Sequence, residues 1–118
     1  MSTRTARILV VDDEEAVQGV VADVLSEGGY HVQTVGSAAA ALEAVGREPW
    51  DLVVSDVRLT DRTGPELARE IVRRHPSLAN RIIFLTGDAA SAPRSAPVIC
   101  KPFCVDAMLD VVGAQLAV

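Results

Sequence analysis

Apolar positions in this chain fall into short unbroken runs, separated by stretches in which they return every three or four residues. Arg7-Ile8-Leu9-Val10-Val11 is a β-rich run that stops at Asp12-Asp13. The next stretch puts Val17, Val20, Val21, Val24 and Leu25 on one helical face, opens with acids that suit a helix N-terminus, and closes at Gly28-Gly29. Tyr30 to Val35 alternates as a second strand, and Ser37 is placed to cap a helix over Ala38 to Arg47 that Pro49 ends. Asp51 to Ser55 predicts a third strand running into Asp56. After a loop through Arg62 and Thr63, Gly64-Pro65 opens a helix with Leu67, Ala68, Ile71 and Val72 inward. Its basic end, Arg73-Arg74-His75, complements the helix dipole. Arg81 to Leu85 is the fourth predicted strand and Val98-Ile99-Cys100 the fifth. Val105, Met108, Leu109, Val112 and Leu116 are the expected inward stripe of a last helix. Between Gly87 and Ala96 there is no apolar period, and Pro93 interrupts any longer helix, so this segment reads as a loop.

Strands alternating with helices predict right-handed crossovers, hence an α/β fold with a parallel sheet covered on both faces. In such sheets ligands bind beyond the carboxyl ends of the strands, where the strand order reverses. The residues expected there are Asp12, Asp13, Asp56, Thr86 and Lys101.

Composition narrows the picture. At 118 residues the chain has the size of a single domain, 1–118, large enough for one core without metal or disulfide staples. The two cysteines, Cys100 and Cys104, make neither a disulfide framework nor a zinc set. They read as structural, Cys100 within a buried strand and Cys104 at a helix start. A reduced, cytoplasmic protein is expected. A net charge of −5 offers no basic footprint for nucleic acid. Met1 to Thr5 is too short and polar for a signal peptide, and no apolar run approaches the ~20 residues that span a bilayer, so no membrane insertion is expected. Ten arginines stand against a single lysine, Lys101.

Taken singly, the strand-end residues have ordinary explanations: aspartates cap helices, Thr86-Gly87-Asp88 reads as a turn, and a lysine is usually a solvated side chain. Jointly they form a chemical set. Carboxylates brought together repel one another unless a cation or shared protons compensate; a hard divalent ion fits best, and oxygen donors without soft ligands favour Mg²⁺. A carboxylate beside such an ion, with an ammonium and a hydroxyl opposite, is equipped to receive a phosphoryl group.

Val10-Val11-Asp12-Asp13-Glu14, Ser55-Asp56-Val57-Arg58-Leu59 with Gly64, Leu85-Thr86-Gly87-Asp88 and Lys101-Pro102-Phe103 together resemble the receiver domain of two-component response regulators, from about Arg7 to Leu116. The resemblance implies a flavodoxin-like doubly wound five-stranded sheet of order 2-1-3-4-5, and it implies a role for each residue. Asp56 would be the phosphoacceptor, taking phosphate from a histidine kinase or histidine phosphotransfer protein. Asp13 and Asp56 would bind Mg²⁺ directly, Asp12 through the ion's water, and the Arg58 carbonyl would be a further ligand. Lys101 would pair with the acyl phosphate, Thr86 would donate its hydroxyl to it, and the Lys101-Pro102 bond would be cis.

The sequence departs from that pattern in three places. The segment from Thr86 to Lys101 is about two helical turns short, so the family's helix between the fourth and fifth strands is expected to be missing or very short. Val98 stands where many receivers carry an aromatic switch residue. Thr60 stands where Pro is common. A second apolar row on the last helix, Ala107, Val111, Ala114 and Val118, reads either as small surface residues or as a homodimer face. Arg58 and Asp88 flank the site on opposite loops and could form an ion pair across its mouth, which, if made, would hinder the attacking water.

The resulting expectation is a phosphoacceptor receiver, stand-alone or part of a hybrid histidine kinase, that is not an enzyme beyond its own phosphorylation and slow dephosphorylation. A receiver-like interaction module that works without phosphorylation is the alternative; the complete residue set argues against it. A phosphatase using an aspartyl-phosphate is disfavoured because Arg58 stands where its second aspartate belongs.

Overall fold

The computed structural model describes residues 5–88, 90, 92, 93 and 96–117. Five strands, β1 (Arg7–Val11), β2 (His31–Val35), β3 (Leu52–Asp56), β4 (Ile82–Thr86) and β5 (Val98–Cys100), form one sheet. Its order is β2-β1-β3-β4-β5 and every pairing is parallel. Among the described residues four α-helices cover it: α1 (Glu15–Glu27), α2 (Ala38–Arg47), α3 (Gly64–Arg74) and α4 (Val105–Leu116). The expected fold class and strand order are those observed.

The period of two in the strands sorts side chains to the two faces. From β1, Ile8 and Val10 join Leu52, Val54, Ile83 and Leu85 beneath α1 and α4, where Val21, Leu25, Met108 and Val112 close the core. Leu9 and Val11 point the other way, packing with Val53 and Phe84 against Ala41, Val45, Leu67 and Ile71 of α2 and α3. With both faces covered, β1, β3 and β4 read as nearly continuous apolar runs, whereas the edge strand β2 alternates.

Several element boundaries follow from local chemistry. Ser37 caps α2 as expected, its hydroxyl accepting from Ala40 N at 3.1 Å. Thr63 and Glu66 form a reciprocal capping box at the start of α3. Gly29 ends the α1 turn with φ of 96°, a conformation that suits glycine.

The structure also corrects some expectations. Tyr30 and Asp51 lie outside the strands, whereas Asp56 and Thr86 are the last residues of β3 and β4. Val20 and Val105 sit at the margins of their helical stripes and are half exposed. Cys100, the last residue of the edge strand β5, is exposed, not buried; Cys104 caps α4, its Sγ accepting from Ala107 N. In the second row of the last helix, Val111 packs on the α1–α4 core while Ala107 and Ala114 are exposed; Val118 lies outside the described residues. Between β4 and β5 none of the described residues is α-helical; Ala89, Ser91, Arg94 and Ser95 of that expected loop, like the expected N-terminal stretch Met1–Arg4, lie outside the described residues.

Candidate functional site

Leaving β1, the chain passes to β2 on one side and, after α2, to β3 on the other, so the strand order reverses between β1 and β3. A crevice at the carboxyl ends of these two strands is a consequence of that topology. Asp12 and Asp13 follow β1 directly and Asp56 closes β3. Carboxylate oxygens from these three residues all lie within 4.8 Å of one another.

Asp12 is fully buried. Its Oδ1 accepts from Glu14 N at 2.9 Å, and its Oδ2 faces Lys101 Nζ at 3.4 Å. Burial pushes the Asp12 carboxyl above its ordinary range and the neighbouring Asp56 charge adds to this, while the Glu14 amide and Lys101 oppose it. Gln18 on α1 anchors the same junction, its Nε2 donating to the backbone carbonyls of Asp12 at 2.6 Å and Val35 at 3.3 Å.

Lys101 follows β5 and its amide donates to Thr86 O at 2.7 Å, extending the β4–β5 ladder to the edge of the site. The Lys101–Pro102 peptide bond is cis. The ammonium also lies 3.6 Å from Asp56 Oδ2, so one cation bridges the buried Asp12 and the carboxylate that ends β3. Thr86 is buried, and its hydroxyl donates to Asp88 O at 2.9 Å while accepting from Asp88 N at 3.0 Å. Arg58 N points at Asp56 Oδ1 across 3.4 Å.

The predicted Asp12, Asp13, Asp56 and Lys101 are therefore together, with Thr86 at the end of the adjoining strand and Arg58 on the loop after β3. The expected Arg58–Asp88 ion pair is not formed: the Arg58 side chain is exposed, and Asp88 Oδ1 instead accepts from Ala90 N at 3.1 Å.

Four contributors were not anticipated. Gln18 carries no sequence signal beyond its place on α1. The capping box was legible as Thr63-x-x-Glu66. Thr60 Oγ1 donates to Asp13 Oδ2 at 2.9 Å, and Asp61 Oδ1 and Oδ2 accept from Ala38 N and Ala39 N at 3.0 and 2.9 Å. These three contacts join segments far apart in sequence.

A doubly wound parallel sheet with an acidic trio facing one lysine across its switch point defines the receiver class of signalling domains. The chain belongs to the response regulator receiver domain family, whose family model matches residues 8–110. The response regulator receiver protein CpdR of Brucella abortus is 36% identical over 104 residues, an overlap of 82% of this chain and 85% of that protein. The response regulator protein FleR of Pseudomonas aeruginosa is also 36% identical, over 92% of this chain but only 24% of its own length. A solved putative response regulator from Chloroflexus aurantiacus matches with a TM-score of 0.86 and 27% identity, covering 98% of this chain and all of that one. Among the described residues no helix is long and apolar enough to cross a membrane.

Proposed function

We propose that this receiver domain, a single unit over residues 1–118, takes a phosphoryl group onto Asp56 from the phosphohistidine of a cytoplasmic histidine kinase or histidine phosphotransfer protein. The observation that carries the reading is the bridging ammonium: Lys101 Nζ sits 3.4 Å from Asp12 and 3.6 Å from Asp56, beside a cluster of three carboxylates. In the transfer an Asp56 carboxylate oxygen forms the new O–P bond as the P–N bond to imidazole breaks, and the histidine departs with the electron pair of that bond. Lys101 already balances the Asp56 charge, so it is in place to pair with an added phosphoryl oxygen as a compact point charge. Thr86 is the hydroxyl donor; its proton, held by the Asp88 carbonyl at 2.9 Å, turns to the phosphoryl group when one is present.

The donor set fits Mg²⁺: three carboxylates supply hard oxygens with no thiol or imidazole among them. Asp13 and Asp56 would hold the ion directly, Asp12 through water, and the Arg58 carbonyl would complete the protein's share. When bound, the ion supplies neutralisation of charge on the phosphoryl oxygens. Arg58, two residues beyond Asp56, cannot act as a carboxylic acid/base, so the domain catalyses its own phosphorylation and slow dephosphorylation without turnover of substrate.

Incubation with a small acyl-phosphate donor and Mg²⁺, followed by intact-mass measurement of wild type and Asp56→Asn, tests the assignment. A phosphoryl adduct on the wild type alone is expected. Equal adducts on both proteins, or none on the wild type, would refute it.

A further inference from the structure

The loop between β3 and α3 is tied down by side chains at two consecutive residues. Thr60 Oγ1 donates to Asp13 Oδ2 at 2.9 Å. Asp61 receives the first two amides of α2, Ala38 N at 3.0 Å and Ala39 N at 2.9 Å, an interaction suited to the positive end of a helix. Within the loop, Leu59 N donates to Arg62 O at 3.1 Å and Arg58 pairs with Thr63 in an isolated antiparallel bridge. The loop is thus closed on itself and fastened outward at Thr60 and Asp61.

This arrangement bears on Asp13. Asp13 is an exposed carboxylate beside two others, so electrostatic repulsion favours rotation of its side chain away from them. A hydroxyl donor on Oδ2 opposes that rotation while Oδ1 still has lone pairs to offer. The donor is effective only if its own backbone is held, and Asp61, the next residue, holds it against α2. Carboxylates that ligate metals are commonly oriented in this way by an outer hydrogen bond.

We propose that Thr60 is a positioning residue for the divalent-cation site, with Asp61 as its anchor: the hydroxyl holds Asp13 among the acidic trio and preorganises the trio for Mg²⁺. The proposal rests on the reading of Asp12, Asp13 and Asp56 as that site.

The test is isothermal titration of the unphosphorylated chain with MgCl₂, together with the backbone amide shifts of residues 12–14 and 56–61. Thr60→Val, which keeps the shape and removes the donor, is expected to weaken Mg²⁺ binding by about tenfold. Thr60→Ser, which keeps the donor, stays near wild type, and Asp61→Ala weakens binding as Thr60→Val does. Urea midpoints in EDTA report folding separately; Thr60 is exposed, so its variants are expected to unfold near the wild-type midpoint. Equal affinity in wild type and Thr60→Val would overturn the proposal, as would a loss in Thr60→Ser matching that in Thr60→Val. Asp13→Asn separates the two levels of inference. If the wild type binds no Mg²⁺, or binds it as Asp13→Asn does, the cation site itself is wrong and the positioning role falls with it.

Discussion

Gly64, the first residue of α3, tests how tightly the end of β3 is held. A β-carbon there would lie 2.3 Å from the Asp56 carbonyl oxygen, 3.0 Å from Val57 Cα and 3.2 Å from the Asp56 carbonyl carbon. Carbon and carbonyl oxygen ordinarily approach no closer than roughly 3.3 Å, so Gly64→Ala needs a displacement of about 1 Å. All three obstructing atoms are backbone, so no side chain can swing aside. The same displacement stretches the hydrogen bond from Gly64 N to Val57 O, now 2.6 Å. Overpacking costs about 1–3 kcal/mol and a buried hydrogen bond lost without replacement about 1–3 kcal/mol. Against these stands at most about 1 kcal/mol of helix propensity gained. Gly64→Ala is therefore expected to lose about 2–4 kcal/mol in urea denaturation.

Gly113→Ala in α4 is the control: a β-carbon there meets nothing within 4 Å, so that variant is expected to unfold at or above the wild-type midpoint. Because the clash falls on the peptide of Asp56, phosphorylation by a small acyl-phosphate donor is expected to slow as well, by up to about 100-fold for a misplacement of this size. A Gly64→Ala protein with an unchanged urea midpoint would show that the β3–α3 junction yields freely, and the argument from close approach would fail.

Two further predictions concern the edge of the site. The raised folded-state carboxyl of Asp12 contributes stability that is present below its unfolded value near 3.8 and is lost as pH rises through the raised folded value. Asp12→Asn removes that loss, so in EDTA it is expected to melt above the wild type at pH 8, with the gap closing toward pH 4; a pH-independent gap, or a less stable variant at pH 8, would contradict the burial argument. Ser37→Ala removes the hydroxyl that accepts from Ala40 N and is expected to cost about 0.5–2 kcal/mol in urea denaturation. An unchanged midpoint would mean that Asp61, on Ala38 N and Ala39 N, satisfies this helix end without Ser37.

Much of the fold was legible because its signals are local. The span of α2 and its Ser37 cap, the extent of β1 and β5, and the basic end of α3 each depend on residues a few positions apart, and all were observed as expected. The four strand-end motifs carried the family resemblance, and the family match bears it out. Helical periodicity was less able to say where a stripe ends: Val20 and Val105 belong to the apolar pattern but lie at its margin, where the neighbouring helix no longer covers them. Cys100 is exposed because it closes an edge strand, a position in the sheet that its three-residue apolar run does not reveal.

By itself the sequence determined which segments are strands and helices, and that the carboxyl ends of the strands would gather Asp12, Asp13, Asp56, Thr86 and Lys101. Those outcomes follow from backbone period and from the handedness of parallel crossovers, which do not depend on loop detail. Only the tertiary structure decided the direction of the loop side chains: Asp88 turns to its own loop rather than to Arg58, Thr60 reaches Asp13 across 47 residues of sequence, and Asp61 caps a helix that precedes it by 22. A short polar side chain on a loop has several partners of similar energy in a disconnected chain. Which one it takes depends on where the sheet and its covering helices bring the other segments.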